Sequence, residues 1–217
     1  MTMHLQRDLE KIRKEVLHLG ALVRDITHLS VEYLGSSDSA LVEKIAKTEE
    51  GINELEVSID EECLKILALH QPVAIDLRFI VVVMKVTNDL ERMGDQAVNI
   101  THRVQALSSQ VDLRDALPVV KMAEAVENMV DQSLDALVKQ DAHLAQKVVD
   151  KDDIVDDLHE QNYQILRDTV VNNPQTVNDA MSYATISSNL ERIGDLCTNI
   201  AEEVIFMVEG TIVRHQE

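Results

Sequence analysis

Two acidic pairs in this chain are spaced as cation ligands would be. Glu91 and Asp95 are four residues apart, and so are Glu191 and Asp195. On a helix that spacing puts both carboxylates of a pair on one face, with Cβ atoms about 5–6 Å apart. Like charges so placed repel, so a compensating positive charge is expected. Carboxylate oxygens suit hard or borderline cations such as Mg, Ca, Mn or Fe. Arg92 and Arg192, each following its glutamate, are the other source of compensation.

Both pairs lie in a repeat. Asp89–Ile100 and Asn189–Ile200 are offset by 100 residues and identical at seven of twelve positions, sharing Leu-Glu-Arg-x-Gly-Asp. Gly94 and Gly194 fall in mid-helix, where glycine costs about 1 kcal/mol relative to alanine. Using it twice at one place points to close approach of a neighbouring helix or a ligand. A weaker alignment at an offset of 103 pairs Leu34 with Leu137, Leu41 with Leu144, Ile52 with Val155 and Leu55 with Leu158. It also brings Glu49 into register with Asp152 and Asn53 with Asp156. These are again i, i+4 pairs, and a pair on one helix facing a pair on another could hold one or more metals. The competing reading is a solvated charged face, since duplication preserves packing as well as function.

Other constellations are weaker. Glu15–His18 has the Glu-x-x-His spacing of di-iron bundles, and Asp25–His28 resembles it, but both lie on the first helix and the fourth has no histidine. His70, His102, His143, His159 and His215 are expected at turns or exposed faces, as solvated side chains. There is no Gly-rich phosphate loop, nucleophile elbow or CxxC.

The elements that carry these residues read as helices. Leu5, Leu9, Ile12, Val16, Leu19, Val23, Ile26 and Tyr33 form one helical stripe, stopped at Gly35–Ser39. A second helix carries Leu41, Ile45, Ile52, Leu55, Ile59 and Ile66 and breaks at His70-Gln71-Pro72. A third runs from about Val73 to Leu107, and Ser108-Ser109-Gln110 reads as a turn. Asp112 can cap a fourth, with Val119, Ala123, Val126, Val130, Leu134 and Leu137. A break near Gln140-Asp141 leads to a fifth, with Leu144, Val148, Val155, Leu158 and Ile165. Asn172-Asn173-Pro174 reads as a stop, an N-cap and a first-turn proline for a sixth, which ends at Gly210. The expected fold is all-α: two tandem three-helix bundles, residues 1–108 and 109–217, of six long antiparallel helices related by internal duplication.

Composition narrows the function. Aromatics are 2% with no Trp, and hydrophobic residues are 45%, so the core is aliphatic. A net charge of −19 argues against nucleic acid and against adsorption to anionic lipid, and favours cations or a basic protein face. The longest apolar run, Phe79–Met84, is far short of a membrane span. Met1–Lys14 has mixed charge and no apolar signal region, so a cytoplasmic protein is expected. Cys63 and Cys197 are too few for a disulfide framework and read as small buried hydrophobes.

The doubled Leu-Glu-Arg-x-Gly-Asp resembles the PhoU family of phosphate-transport accessory proteins. So do Val57–Cys63, Gln71-Pro72 and Asp76-Leu77-Arg78, in order and spacing. The resemblance implies a cytoplasmic negative regulator of the phosphate-starvation (Pho) response that also restrains phosphate uptake. It implies an adaptor between the ATPase subunit of a phosphate ABC transporter and a membrane sensor histidine kinase, commonly as a homodimer. It further implies metal (Fe, Zn, Mn or Mg) on Glu91 and Asp95 with Glu49 nearby, and on Glu191 and Asp195 with Asp152 and Asp156. Asn53, opposite Asp156 in register, breaks the symmetry of that set. The expectation is therefore a non-enzymatic metal-binding adaptor. A metalloenzyme with a carboxylate-bridged cluster is the alternative, and acidic pairs that only knit the bundles together are the third reading.

Overall fold

The computed structural model describes residues 3–107 and 113–210. It is all-helical among them: α1 (Met3–Ser36), α2 (Ala40–His70), α3 (Ile75–Gln105), α4 (Val119–Lys139), α5 (Ala142–Val149), α6 (Asp152–Asn172) and α7 (Val177–Glu209), with single 3-10 turns at Arg114–Ala116 and Pro174–Thr176. The expected turn at Ser108–Gln110, the Asp112 cap and His215 lie outside the described residues.

Helical periodicity translates directly into the core. Every α1 stripe residue from Leu5 to Tyr33 is buried, as are Leu41, Ile45, Ile52, Ile59 and Ile66 of α2. α1, α2 and α3 form one three-helix bundle, and α7 packs on α4, α5 and α6 to form the second. α3 lies along α7 and α1 meets α4, so the two bundles share one aliphatic core. The two tandem three-helix bundles are as expected. Cys63 and Cys197 are free and buried in that core. Burial pushes the Cys63 thiol up to about 12 and raises the Cys197 thiol as well.

Three details depart from the sequence reading. The fifth helix is two helices: the chain turns at Asp150-Lys151 through short bonds from Lys151 N to Val148 O (3.1 Å) and from Ile154 N to Lys151 O (3.1 Å). Lys151 Nζ is held there by Asn128 Oδ1 (2.7 Å) and Gln132 Oε1 (3.0 Å) of α4. Asp152 and Asp153 thus enter the first turn of α6, where the helix dipole favours negative charge. Secondly, α3 starts at Ile75 because Ala74 adopts φ +51°. Thirdly, Pro174 begins a 3-10 turn, and α7 starts only at Val177. No described helix is long and apolar enough to cross a membrane.

Candidate functional site

Each half sets acidic side chains along one end of a pair of packed antiparallel helices, α2 with α3 and α6 with α7. In the first half Glu49, Asn53, Glu56 and Asp60 are on α2 and Glu91 and Asp95 on α3. In the second, Asp152 and Asp156 are on α6 and Glu191 and Asp195 on α7. The repeated glycines bring each helix pair close. A Cβ on Gly94 would stand 3.1 Å from Ile52 Cδ1, and one on Gly194 would stand 3.4 Å from Val155 Cγ1 and 3.7 Å from Asp152 Oδ1. Ile52 and Val155 are partners in the 103-residue register, so duplication has preserved this approach. It is an approach of helix to helix.

The carboxylates within each half feel one another. Burial raises Glu91 above the usual carboxylate range, and Asp95, Glu56 and Glu49 push it further, with Arg92 opposing. Burial and then Glu49 raise Asp95. Glu56 is raised by burial and by Asp60, which burial raises in turn. In the second half Asp152 is pushed up to about 6 by burial, then by Asp156, Asp195, Asp153 and Glu191. Asp195 is raised by burial, Glu191 and Asp156, with Arg192 opposing. Of the seven sequence-predicted ligands, Glu49, Glu91 and Asp95 lie on α2 and α3, and Asp152, Asp156, Glu191 and Asp195 on α6 and α7.

Their donor chemistry fits a hard cation: oxygen ligands, negative charge in excess of Arg92 and Arg192, and a buried Asn53 Oδ1 with no hydrogen-bond partner. Asn53 Nδ2 donates to Glu49 Oε1 at 3.0 Å, which turns that amide within the acidic row. Among the described residues, no three Asp, Glu, His or Cys side chains stand close enough together to hold a metal ion as they are oriented. Arg92 is exposed and its ion pair is with Asp89, at 3.6 Å.

Glu56 and Asp60 escaped the sequence reading. In the 103-residue register they face His159 and Tyr163, so a search for repeated acids passes over them. Their signal was helical phase: Glu56 and Asp60 continue the stripe of Glu49 and Asn53. His159 was expected to be solvated but is partly buried, with Nδ1 2.9 Å from Ser187 Oγ on α7. His70 likewise sits 3.1 Å from Asp8 Oδ2 and ties the end of α2 to the start of α1. The Glu-x-x-His segments of α1 serve packing: Glu15 is 3.7 Å from Lys11, and His28 is 2.9 Å from Glu127 of α4. A salt bridge that the sequence did not reveal joins the halves, from Lys85 Nζ of α3 to buried Glu203 Oε1 of α7 at 3.0 Å.

Comparison with known proteins agrees with this duplicated layout. The PhoU domain family model matches residues 16–104 and again 119–204. A phosphate-specific transport system accessory protein PhoU homolog from Aquifex aeolicus is 37% identical over 99% of this chain and 97% of the relative. The crystal structure of PhoU from Pseudomonas aeruginosa superposes with a TM-score of 0.88 at 34% identity, covering 95% of this chain and 99% of that one. The phosphate transport system regulatory protein PhoU from Streptococcus pneumoniae gives a TM-score of 0.85 at 26% identity, over 96% and 99% of the two chains.

Proposed function

Because this chain belongs to the PhoU family, we propose that it is a non-enzymatic accessory protein that regulates phosphate transport. The observation that carries this reading is the near full-length likeness to such accessory proteins, with both halves matched. In finer terms the protein is a cytoplasmic adaptor, working as a homodimer. It links the ATPase subunit of a phosphate ABC transporter to a membrane sensor histidine kinase, restrains uptake, and holds the starvation response off when phosphate is plentiful.

Two cation sites belong to this reading. Glu49, Glu91 and Asp95 would hold one, with Asn53 and Glu56 beside them. Asp152, Asp156, Glu191 and Asp195 would hold the other. A bound Fe, Zn, Mn or Mg ion would supply positive charge and cross-link α2 to α3 and α6 to α7. What supports this is the raised carboxylates, which are uncomfortable as charged groups without a counterion.

The test is elemental analysis of untagged protein purified without chelator. A variant with Glu91, Asp95, Glu191 and Asp195 all changed to Ala runs beside it, and both are assayed for regulation of a starvation-responsive promoter. Near-stoichiometric metal in the parent, none in a still-helical variant, and a promoter left on by the variant are expected. Absence of metal from the parent after loading with Fe, Mn, Mg and Zn in turn sinks the metal sites. A parent chain that neither represses the promoter nor binds the ATPase subunit sinks the adaptor.

A further inference from the structure

The acidic ends occupy only half of each helix pair. On α7 the residues Val177, Met181, Ala184, Ser188, Glu191 and Asp195 follow one another at alternating intervals of four and three, so they form a single face. On α6 the matching row is Asp152, Asp156, His159, Tyr163, Arg167 and Val170. The helices are antiparallel, so acid meets acid at one end and apolar meets apolar at the other. The far end is an open, mainly apolar groove of about 320 Å³ lined by Tyr163, Val170, Val171, Val177 and Met181, with Arg167 as its one charged side chain. It is far from covered: Val171 is 74% exposed, Met181 67% and Tyr163 55%. The first half repeats the pattern. Leu77, Val81 and Met84 precede Glu91 and Asp95 on α3, and Leu64 and Leu67 follow Glu56 and Asp60 on α2. Leu64 and Leu77 are likewise exposed.

We infer that the α6–α7 groove, and the α2–α3 face that repeats its register, each dock an amphipathic helix of a partner protein, apolar at one end and rich in Lys and Arg at the other. The apolar end seats against the α2–α3 or α6–α7 turn, and the basic end lies along the carboxylates. The face from Val177 to Asp195 runs about 27 Å, the length of a five-turn helix. Charge complementarity selects this occupant. A cation alone would satisfy the carboxylates and leave the apolar end bare. A second copy of this chain would set acid against acid if aligned head to head, or acid against apolar surface if reversed. An anionic bilayer would accept the apolar end and repel the rest. A helix with both characters satisfies the whole length, with apolar anchors for affinity and carboxylates for steering and register. Tyr163 and Met181 are the residue types that dominate such interfaces.

The inference rests on the adaptor reading and deepens it, so the experiment separates the two. Binding of the phosphate transporter's ATPase subunit to the full chain is measured by calorimetry. The variants are Val177→Asp with Met181→Asp, Leu77→Asp with Val81→Asp, all four together, and Glu191→Gln with Asp195→Asn. Each apolar pair is expected to weaken binding at least about tenfold, and the four together to abolish it, with helicity unchanged by circular dichroism. The amide pair is expected to slow association and flatten its salt dependence. In parallel, an 18-residue synthetic helix with Leu and Ile at one end and Lys at the other is titrated into methyl-labelled protein. Shifts at Val171, Val177, Met181, Leu77 and Val81 are expected. If the ATPase subunit binds the four-residue variant as it binds the parent, the docking grooves are refuted and the adaptor reading survives. If the subunit ignores the parent chain while the synthetic helix seats in the grooves, the adaptor reading fails and the grooves stand. If neither binds, or the helix maps elsewhere, the grooves are refuted.

Discussion

Asp152 gives a measurement in which the size of the effect depends on pH and its sign on metal. Its carboxyl is raised from 3.8 to about 6, first by burial and then by the acids around it. Converted in full, that difference opposes folding by about 3 kcal/mol at neutral pH. Solvent reaches this side chain, and the α6 N-terminus favours its charge, so about 1 kcal/mol remains. Between about pH 3.8 and pH 6 the unfolded chain holds fewer protons at this group than the folded one. Stability attributable to Asp152 therefore falls as pH rises through that window and is lowest above it. Asp152→Asn is expected to raise Tm at pH 7.5 in metal-free buffer by about 2–4 °C. The gain should shrink toward zero as pH approaches 4. Adding Mn or Mg at about 100 times its Kd should stabilise the parent by about 2.7 kcal/mol. The variant, with a proposed ligand removed, should gain less, so the order of the two proteins narrows or inverts. Thermal melts at 222 nm across this grid of pH and metal give the answer. A variant less stable than the parent without metal at pH 7.5, or a difference that does not change with pH, refutes the argument that buried mutual repulsion governs this cluster.

Two further substitutions probe the packing beneath the grooves. Gly194→Ala places its Cβ in ordinary contact, 3.4 Å or more from its neighbours, and should gain up to about 1 kcal/mol of helix propensity. Gly94→Ala meets Ile52 Cδ1 at 3.1 Å and should gain less or lose slightly, so paired urea melts should rank Gly194→Ala above Gly94→Ala. Lys85→Met takes the lysine away from buried Glu203 and should cost about 2 kcal/mol, or about 4–8 °C in Tm. Adding Glu203→Gln should recover part of that loss, and full additivity of the two would show that the bridge does not couple the halves.

The helices and their buried faces were legible because aliphatic residues recur with helical period and the stops use Pro, Gln and Gly. The doubled motif gave the tandem architecture and the two acidic groups. What stayed hidden is tertiary. The break between α5 and α6 has no Gly or Pro to announce it, and Lys151 is fixed there by Asn128 and Gln132 of another helix. The α1–α4 approach turns on Gly20, whose Cβ would stand 2.9 Å from Leu134 Cδ2. Nothing in the local sequence of Gly20 identifies that neighbour. Glu56 and Asp60 were hidden for another reason: a search for repeats finds what both halves share, and these acids occur in one.

That difference shapes what the two grooves can do. Duplication preserved the acids of α3 and α7 and redistributed those of α2 and α6. In the second half Asp152 and Asp156 concentrate charge at the first turns of α6, deep enough to raise Asp152 to about 6. His159 and Tyr163 then take the groove from charged to aromatic within two turns. In the first half Asn53 thins the charge at its centre, while Glu56 and Asp60 carry it two turns further toward Leu64. A compact cation gains most where charge is concentrated and least hydrated, which is the second groove. An extended basic segment gains most where carboxylates are spread at its own spacing, which is the first. A cation and a partner's lysines compete for the same oxygens, so metal should displace a docked helix more effectively from α6–α7 than from α2–α3.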